Sequence, residues 1–510
     1  MSEPLGVPVE VSSDKPAILS RGLFFLVIAL ILLIVATVLR VHHLGERSLW
    51  FDEALTANTS RSTLTHMIET TRARGSAPVV HPYILYLVER VGKSAVAVRA
   101  PSVLASLLAV FMMLAMVRAK VSQNAALFAA AILTVSASQV RYAQEVREYS
   151  LSVLFATILI YCLLRWEAAG PRDRHPVLLY AALFTVPLIQ YGLVLLAFAI
   201  LSTIVLSLLL SRDTCFRLSH VVIASACLAT GGLLSFVLTL RYQFHPGQGQ
   251  WYLASNYFEP KTMSLLGFFA QNTQGLLSFF IPGQIVAICF LIAAVAYFVS
   301  QVLNRKFDPI TLLLVTSIGI TFCASVAKLY PYGGIRQCLF LAPVLTLFAG
   351  VAFADLLRRV EGSWQPMAAI GLLAIVFFSG YRGMQRQWPY GEYEDTLSIL
   401  RELAKSSAPN DQIWVNHDAV EALDFYLQGK DSRFIFGKYH PDPNEYVPEL
   451  TGSIDPHSDR IWLVFSHLQQ PSDHFEQQLI VSSLRSSWDV ENAIMPTNTA
   501  LFLAHRKTAP

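Results

Sequence analysis

Long apolar segments alternate with short polar segments over the first three-quarters of the chain. The first apolar segment runs from Gly22 to Leu39, and a helix needs about 20 mostly apolar residues to cross a bilayer. Ten further segments are predicted to span the membrane: 96–117, 122–139, 150–165, 176–190, 192–211, 219–240, 277–302, 309–327, 336–357 and 366–380. The pattern therefore predicts an α-helical polytopic membrane protein with about eleven transmembrane helices.

Basic residues concentrate in every second short connection between the predicted spans. They are Arg118, Lys120, Arg165, Arg172, Arg174, Arg212, Arg217, Arg305, Lys306, Arg358 and Arg359. Lys15 and Arg21 precede the first span and lie on the same side. Because basic loops stay on the cytoplasmic side, residues 1–20 are predicted to form a cytoplasmic tail. Outer loops are then predicted at 41–95, 139–150, 241–275 and 328–337, on the extracytoplasmic side, with a helix lying on the interface between Arg61 and Arg72.

The pattern changes near Gly391, where amphipathic stretches begin to alternate with short β-like runs. These runs are 413–416, 434–436, 461–465, 490–495 and 500–505. Alternating helix and strand patterns favour a layered α/β domain, so residues 391–510 are predicted to form a small extracytoplasmic α/β domain. It contains no glycine-rich phosphate loop, and no catalytic role is predicted for it.

The composition agrees with a membrane protein. The chain is 54% apolar and 14% charged, whereas soluble domains average about 25% charged residues. Its net charge is +3, and the basic residues are distributed between spans and not gathered in one patch. A nucleic-acid partner is therefore not predicted.

Two adjacent carboxylates, Asp52 and Glu53, follow the first span at a distance of about a dozen residues. Carboxylates at a membrane boundary are costly unless a positive or protic group meets them, so this position predicts chemistry at the membrane surface. The alternative is a pair of acids that only stabilises a helix N-terminus through the macrodipole.

Further charged and polar candidates fall in the other predicted outer loops. His81 precedes Pro82, and Lys328 and Arg336 lie in the loop 328–337. The loop 139–150 supplies the remaining candidates, which are Arg141, Glu145, Arg147 and Tyr149.

In their order and spacing these motifs resemble the C-type (GT-C) superfamily of membrane glycosyltransferases, which use polyprenyl-phosphate sugars. The likeness is to the branch of protein O-mannosyltransferases and aminoarabinose transferases, and it covers about residues 21–380. Four features carry it: Trp50 to Ala54; His81-Pro82 with Arg99 to Ser102; Tyr142 to Leu151; and Gly334 to Gln337.

The resemblance implies a hexosyl- or pentosyltransferase in a bacterial inner (plasma) membrane. It would move a sugar from a polyprenyl-phosphate donor to a hydroxyl of a lipid, glycan or protein acceptor, with inversion, on the outer face. No metal is implied as a requirement, although Asp52, Glu53 and His81 offer ligands for a divalent ion.

The chemistry of such a reaction assigns roles to the candidates. Asp52 is predicted to be the base that deprotonates the acceptor, and Glu53 to orient the acceptor or raise the pKa of Asp52. Arg147 and Arg336 are predicted to bind the phosphate, because a guanidinium presents a planar fork to its oxygens. Arg141, Glu145, Tyr149, Lys328 and His81 are predicted to contact the substrates.

Each assignment has a structural alternative. Arg141 and Glu145 have the spacing of a plain i,i+4 salt bridge, and the alternative for Arg147 is an ion pair with Asp52 or Glu53. Lys328 and Arg336 flank spans, where the alternative is contact with lipid headgroups. The alternative for His81, before Pro82, is a residue that only starts a helix. The whole chain could also be a transporter or flippase of a lipid-linked molecule, or an assembly scaffold. The transferase interpretation requires Asp52, Arg147 and Arg336 to converge in one cavity.

Overall fold

The computed structural model describes residues 15–75, 77–169, 176–210, 217–243, 253–304, 307–360, 364–387, 389–429, 431–469 and 471–507. Up to residue 387 its helices are α1 (Lys15–Val41), α2 (Phe51–Arg61), α3 (Leu64–Arg74), α4 (Val80–Val88), α5 (Ala95–Lys120), α6 (Gln123–Val135), α7 (Ala137–Ala143), α8 (Tyr149–Ala169), α9 (Val177–Ile189), α10 (Leu193–Leu210), α11 (Leu218–Ser235), α12 (Arg241–Gln243), α13 (Leu265–Phe280), α14 (Gly283–Leu303), α15 (Pro309–Val326), α16 (Ala342–Arg358) and α17 (Trp364–Gln387).

The predicted spans correspond to helical segments of this structure. Within the described residues, nine helices are long and apolar enough to cross a membrane. A tenth span is the pair α6 and α7, bent by 62°, and the short helix α9 matches the prediction for 176–190. The prediction of about eleven spans in a mostly helical chain is therefore confirmed.

One predicted boundary is wrong. The segment 277–302 is not a single span, because α13 continues to Phe280 and α14 begins only at Gly283. Pro282 cannot donate a backbone hydrogen bond to the preceding turn, and Gly283 adopts φ +75°, a conformation that favours glycine. The apolar run therefore continues through a turn that ends one helix and starts another.

The break between α6 and α7 is stabilised by a buried arginine from the first span. The last carbonyls of a helix lack partners within that helix. Arg40, which is fully buried, donates to the carbonyl oxygens of Leu133 at 3.0 Å and Thr134 at 3.2 Å. Its Nε also donates to Ser106 Oγ at 2.7 Å. The bent span leads directly into residues 144–148, of which Arg147 and Glu148 line the cleft described below.

The first outer loop folds into three helices. Its predicted interfacial helix at Arg61–Arg72 is wrong in extent: α2 ends at Arg61 and α3 begins at Leu64. Thr63 caps α3 by accepting a hydrogen bond from the backbone N–H of His66, which separates the two helices.

The chain beyond residue 391 forms the predicted small α/β domain. Its elements are α18 (Thr396–Ser406), β1 (Gln412–Val415), α19 (Val420–Leu427), β2 (Phe434–Phe436), α20 (Tyr446–Ser453), β3 (Arg460–Phe465), α21 (Pro471–Leu484), β4 (Trp488–Ile494) and β5 (Ala500–Arg506). The sheet order is β2-β1-β3-β5-β4; β1 is parallel to β2 and β3, while β5 is antiparallel to β3 and β4. Alternate strand residues face two apolar layers, one with α18 and α19 and one with α20 and α21.

The α/β domain packs on the first outer loop through an apolar cluster. Leu49 and Ala57 on one side meet Ala422 and Phe425 of α19 on the other, and all four are buried. The domain therefore lies against the helix that begins at Phe51.

Some predictions concern residues outside the described ranges. These are Arg172, Arg174, Arg212, Arg305 and Lys306 in the basic loops, residues 1–14 of the predicted tail, and residues 244–252 of the loop 241–275. Residues 15–20, also assigned to the tail, already belong to α1. The orientation in the membrane stays a prediction.

Candidate active site

Asp52 is the second residue of α2, and two guanidinium groups from distant parts of the chain reach its carboxylate. Arg336 Nη2 donates to Asp52 Oδ2 at 3.2 Å, and Arg147 Nη1 lies 4.0 Å from the same oxygen. Arg147 follows the bent span, and Arg336 begins the turn that precedes α16. The three residues thus converge on one carboxylate. Asp52 and Arg147 also line the cleft described below, whereas Arg336 reaches Asp52 from outside that lining.

The pKa of Asp52 lies below its ordinary value. Burial alone would raise it, but the charges of Arg147, Arg336 and His467, together with the hydrogen bond from Arg336, outweigh that effect. Asp52 is therefore ionised at neutral pH, which is the form that a proton acceptor needs.

A pH dependence follows from this shift. Because the pKa of Asp52 is lowered, its carboxylate stays ionised as the pH falls from 7.5 to 5, and the transfer rate should not decline through its protonation in that range. In Arg336→Gln, which removes a charge and a hydrogen bond, the acid limb should move to higher pH. The measurement is the initial transfer rate against pH for both proteins in lipid. An identical acid limb in the two proteins would contradict this account.

Glu53 points into the protein and forms an enclosed ion pair. Arg99 donates to both of its oxygens, at 2.8 and 3.0 Å, and the backbone N–H of Val146 donates at 2.9 Å. Both charged side chains are buried. The charges of Arg99 and Arg47 lower the pKa of Glu53 despite its burial, which acts in the opposite direction. The predicted roles in acceptor binding or in raising the pKa of Asp52 do not fit this geometry, which suits a structural role.

Loss of one partner of this pair should destabilise the fold strongly. In Arg99→Met the Glu53 carboxylate stays buried without its counter-charge, and the free energy of unfolding should fall by about 3–5 kcal/mol. The double variant Glu53→Gln/Arg99→Met should lose less. Denaturant unfolding in detergent measures these losses. The control is Arg359→Met, because the Arg359–Asp355 pair is more exposed and such pairs contribute about 0–1 kcal/mol. Equal losses in the single and double variants would contradict the prediction.

Arg141 Nε and Glu145 Oε1 lie 3.2 Å apart and form a salt bridge. This i,i+4 pair is the alternative that was weighed against a substrate contact. The Arg141 guanidinium also donates to the carbonyl oxygens of Pro389 and Gly391 and lies 3.8 Å from the ring centroid of Tyr393. It therefore anchors the segment that leads into the α/β domain, and the predicted substrate contact is not supported. Glu145 is fully buried beneath it, where burial raises the pKa of its carboxyl group.

An open cleft lies beside Asp52, and the empty space within it and at its open mouth amounts to about 520 Å³. Arg147, Glu148 and His81 line it with Asp52, and the remaining lining residues are Leu55, Thr56, Thr59, Thr70, Thr71, Arg74, Gly75, Ala77 and Pro82. His81 is 1% exposed, and its Nε2 has no hydrogen-bond partner among the described residues. Burial and the charge of Arg147 lower its pKa to about 3, so the imidazole is neutral. The cleft offers the Asp52 carboxylate, three further charged side chains and several hydroxyls to a polar ligand.

Comparisons with known proteins identify a similar family model and similar folds. A family model described as dolichyl-phosphate-mannose-protein mannosyltransferase matches residues 76–237. The structure of ArnT from Cupriavidus metallidurans bound to undecaprenyl phosphate matches with a TM-score of 0.58 and 14% identity, over 96% of this chain and 98% of that one. The oligosaccharyltransferase AglB from Archaeoglobus fulgidus, in complex with an inhibitory peptide and a dolichol-phosphate, matches with a TM-score of 0.53 and 12% identity, over 97% and 75%. No curated protein sequence matches the chain.

The chain has the C-type glycosyltransferase fold. The resemblance indicated by the four sequence motifs is confirmed, and the C-type fold with its apolar helices makes this an integral membrane protein.

Two further predicted residues take different positions in the C-type fold. Tyr149 is buried at the start of α8, with the guanidinium carbons of Arg147 and Arg336 each 5.9 Å from its ring centroid. Lys328 instead pairs with Glu259 at 2.9 Å on the surface, and it does not line the cleft. The structure therefore keeps Tyr149 beside the site and does not support Lys328 as a substrate contact.

Sequence reasoning missed several residues near Asp52. Trp50 belongs to one of the four motifs but was given no role, and its ring centroid lies 5.2 Å from the Arg336 guanidinium. Glu148 belongs to a recognised motif but was given no role, and its carboxylate lies 3.7 Å from Arg147. His467 comes from the α/β domain, where no local pattern connects it with Asp52.

The prediction that no metal is required stays a prediction. Within the described ranges, no group of three or more His, Cys, Asp or Glu side chains is arranged to hold a metal ion. Asp52, Glu53 and His81 were the proposed ligands, and Glu53 is turned away into its pair with Arg99.

Proposed function

We propose that this protein is a glycosyltransferase that moves a sugar from a polyprenyl-phosphate donor to a hydroxyl acceptor. The observation that carries the proposal is the Asp52 carboxylate, ionised and held between Arg147 and Arg336 at the edge of an open cleft. A base for the acceptor and cations for the leaving phosphate are the two requirements of this reaction, and here they lie within 4.0 Å of each other.

The reaction would proceed in one step. Asp52 takes the proton of the acceptor hydroxyl while its oxygen attacks the anomeric carbon. The bond from that carbon to the phosphate oxygen breaks, and polyprenyl phosphate leaves with the electron pair and is stabilised by Arg147 and Arg336. Attack from the side opposite the leaving group inverts the anomeric centre.

The ion pairs also suggest how the donor prepares the base. In the free protein Arg336 and Arg147 lower the pKa of Asp52 and thus its basicity. A donor phosphate that accepts the guanidinium hydrogen bonds weakens this effect, so the carboxylate becomes a stronger base when the donor is bound. Proton transfer is thereby coupled to donor binding.

The cellular setting is also a proposal. The distribution of basic residues favours a cytoplasmic N-terminus, with the cleft and the α/β domain on the extracytoplasmic side of a bacterial inner membrane. The acceptor would be a lipid, a glycan or a protein that is reached from that side.

Radiolabelled polyprenyl-phosphate sugars, offered one at a time to the purified protein in lipid, test the proposal. We expect label to move from one donor to an acceptor. Specific movement of an intact lipid-linked molecule across the bilayer, with no transfer from any donor, would instead support the transporter. The convergence of Arg147 and Arg336 on Asp52, a residue that lines the cleft, and not along a path through the spans, favours the transferase.

A further inference from the structure

The helix that carries Asp52 has no N-terminal cap of its own. The first N–H groups of a helix need external acceptors, and Trp50 at the N-cap position supplies no side-chain oxygen. Instead the backbone N–H of Phe51 donates to Glu394 Oε2 at 3.0 Å. Glu394 belongs to the segment that enters the α/β domain, so a distant part of the chain caps α2.

The residues just before α2 are held in the same way. The N–H of Ser48 donates to Glu392 at 3.1 Å, and the N–H of Leu49 donates to the hydroxyl of Tyr426 at 2.9 Å. Three backbone groups within the four residues before Asp52 are therefore bonded to side chains from the last quarter of the chain. The position of the Asp52 backbone depends on them.

Glu394 is itself fixed by residues that follow strand β3. It is fully buried and accepts hydrogen bonds from His467 Nδ1 at 2.7 Å, Ser466 Oγ at 3.0 Å and Gln469 Nε2 at 3.4 Å. The His467 ring also packs against Phe51, with centroids 5.3 Å apart. This network joins the carboxyl end of β3 to the first turn of α2.

His467 also adds charge to the site. Burial lowers its pKa, but the hydrogen bond and charge of Glu394 outweigh burial, so the pKa is raised. The charges of Asp418 and Asp473 act in the same direction. The imidazolium persists to higher pH than usual, and it is near enough to lower the pKa of Asp52.

We infer that Glu394, held by His467, is a positioning residue for Asp52, and that the α/β domain is thereby part of the active site. This inference rests on the proposed function of Asp52. A displacement of about 1 Å in a catalytic group costs about 100-fold in rate, so a cap that sets the first turn of α2 acts on turnover without touching the substrate.

The test compares Glu394→Ala with Glu394→Gln in the full protein in lipid, with rates normalised to folded protein. Alanine removes the acceptor of the Phe51 N–H, and kcat should fall by about 10- to 100-fold, while the donor KM and the binding of undecaprenyl phosphate change less than about threefold. Glutamine keeps an acceptor oxygen and should restore kcat to within about fivefold of the wild type. His440→Gln, which alters another His–carboxylate pair of the same domain, should leave all three quantities unchanged.

Amide hydrogen exchange of residues 48–56 supplies a readout that needs no turnover. Exchange should be faster in Glu394→Ala than in Glu394→Gln or the wild type. Two outcomes would overturn the inference when the wild type transfers sugar. In the first, Glu394→Ala keeps kcat within twofold of the wild type. In the second, kcat of Glu394→Ala falls only in proportion to its loss of undecaprenyl phosphate binding. If the wild type transfers from no donor, the proposed function fails, and unchanged exchange in Glu394→Ala would separately overturn the positioning role.

Discussion

Replacement of Asp52 by asparagine is expected to lower the transfer rate by about 10²- to 10⁴-fold, the usual contribution of a well-placed general base. Asparagine has the same size and can still accept a hydrogen bond from Arg336, but it cannot take the acceptor proton. The measurement is the initial rate of label transfer at saturating donor, with undecaprenyl phosphate binding measured in parallel.

The matched control for this variant is Asp355→Asn, which also removes a carboxylate from an ion pair with arginine but lies outside the cleft. Its rate should equal that of the wild type. Transfer that survives in Asp52→Asn would move the base to another carboxylate of the cleft, and Glu148 is then the next to test. Loss of undecaprenyl phosphate binding in Asp52→Asn would show that the carboxylate organises the donor site and would contradict a role confined to proton transfer.

Replacement of Arg336 by glutamine is expected to lower kcat by about 10²- to 10³-fold, because a preorganised donor at a developing negative charge contributes that much. It should also weaken undecaprenyl phosphate binding. Arg336→Lys should recover only part of the loss, since an ammonium group cannot present the planar fork to phosphate. Rates and binding measured on the same preparations separate the two effects.

Arg359→Gln is the control for charge alone, because Arg359 pairs with Asp355 away from the cleft. It should behave as the wild type. A second comparison uses Asp52→Asn/Arg336→Gln: if the two residues act in one step, the losses of the single variants should not add. Fully additive losses, or a normal kcat in Arg336→Gln, would contradict the proposed role.

The spans were predictable because their signal is local. An apolar run of sufficient length has few alternatives to a membrane helix, and the strands of the α/β domain were equally visible as short β-branched and aromatic runs. The error at 277–302 arose because the run stays apolar through Pro282 and Gly283, where hydropathy alone gives no boundary. The bend after Val135 depends on Arg40, 93 to 94 positions away, and no local pattern indicates it.

The residues of the candidate site could be predicted from the sequence only where they lie in one of the four recognised motifs. Asp52, Arg147 and Arg336 were singled out together and do converge. Glu53 was misassigned because adjacent residues on a helix point in different directions, and only the position of Arg99 decides which one faces the cleft. Glu394 and His467 had no signal, because their partners lie more than 340 positions earlier in the chain.

The hydrogen bond from Phe51 to Glu394 spans 343 positions, and this separation has a consequence for biosynthesis. At about 5–20 residues per second, the ribosome needs roughly 20–70 seconds to supply the cap after Phe51 has emerged, and somewhat longer to supply His467. During that interval the spans can already be inserted, yet the first turn of α2 lacks its acceptor. The nascent chain therefore acquires a complete candidate site only when its synthesis is almost finished, so a product terminated before residue 394 would insert its first spans in the membrane without the acceptor that caps the Asp52 helix.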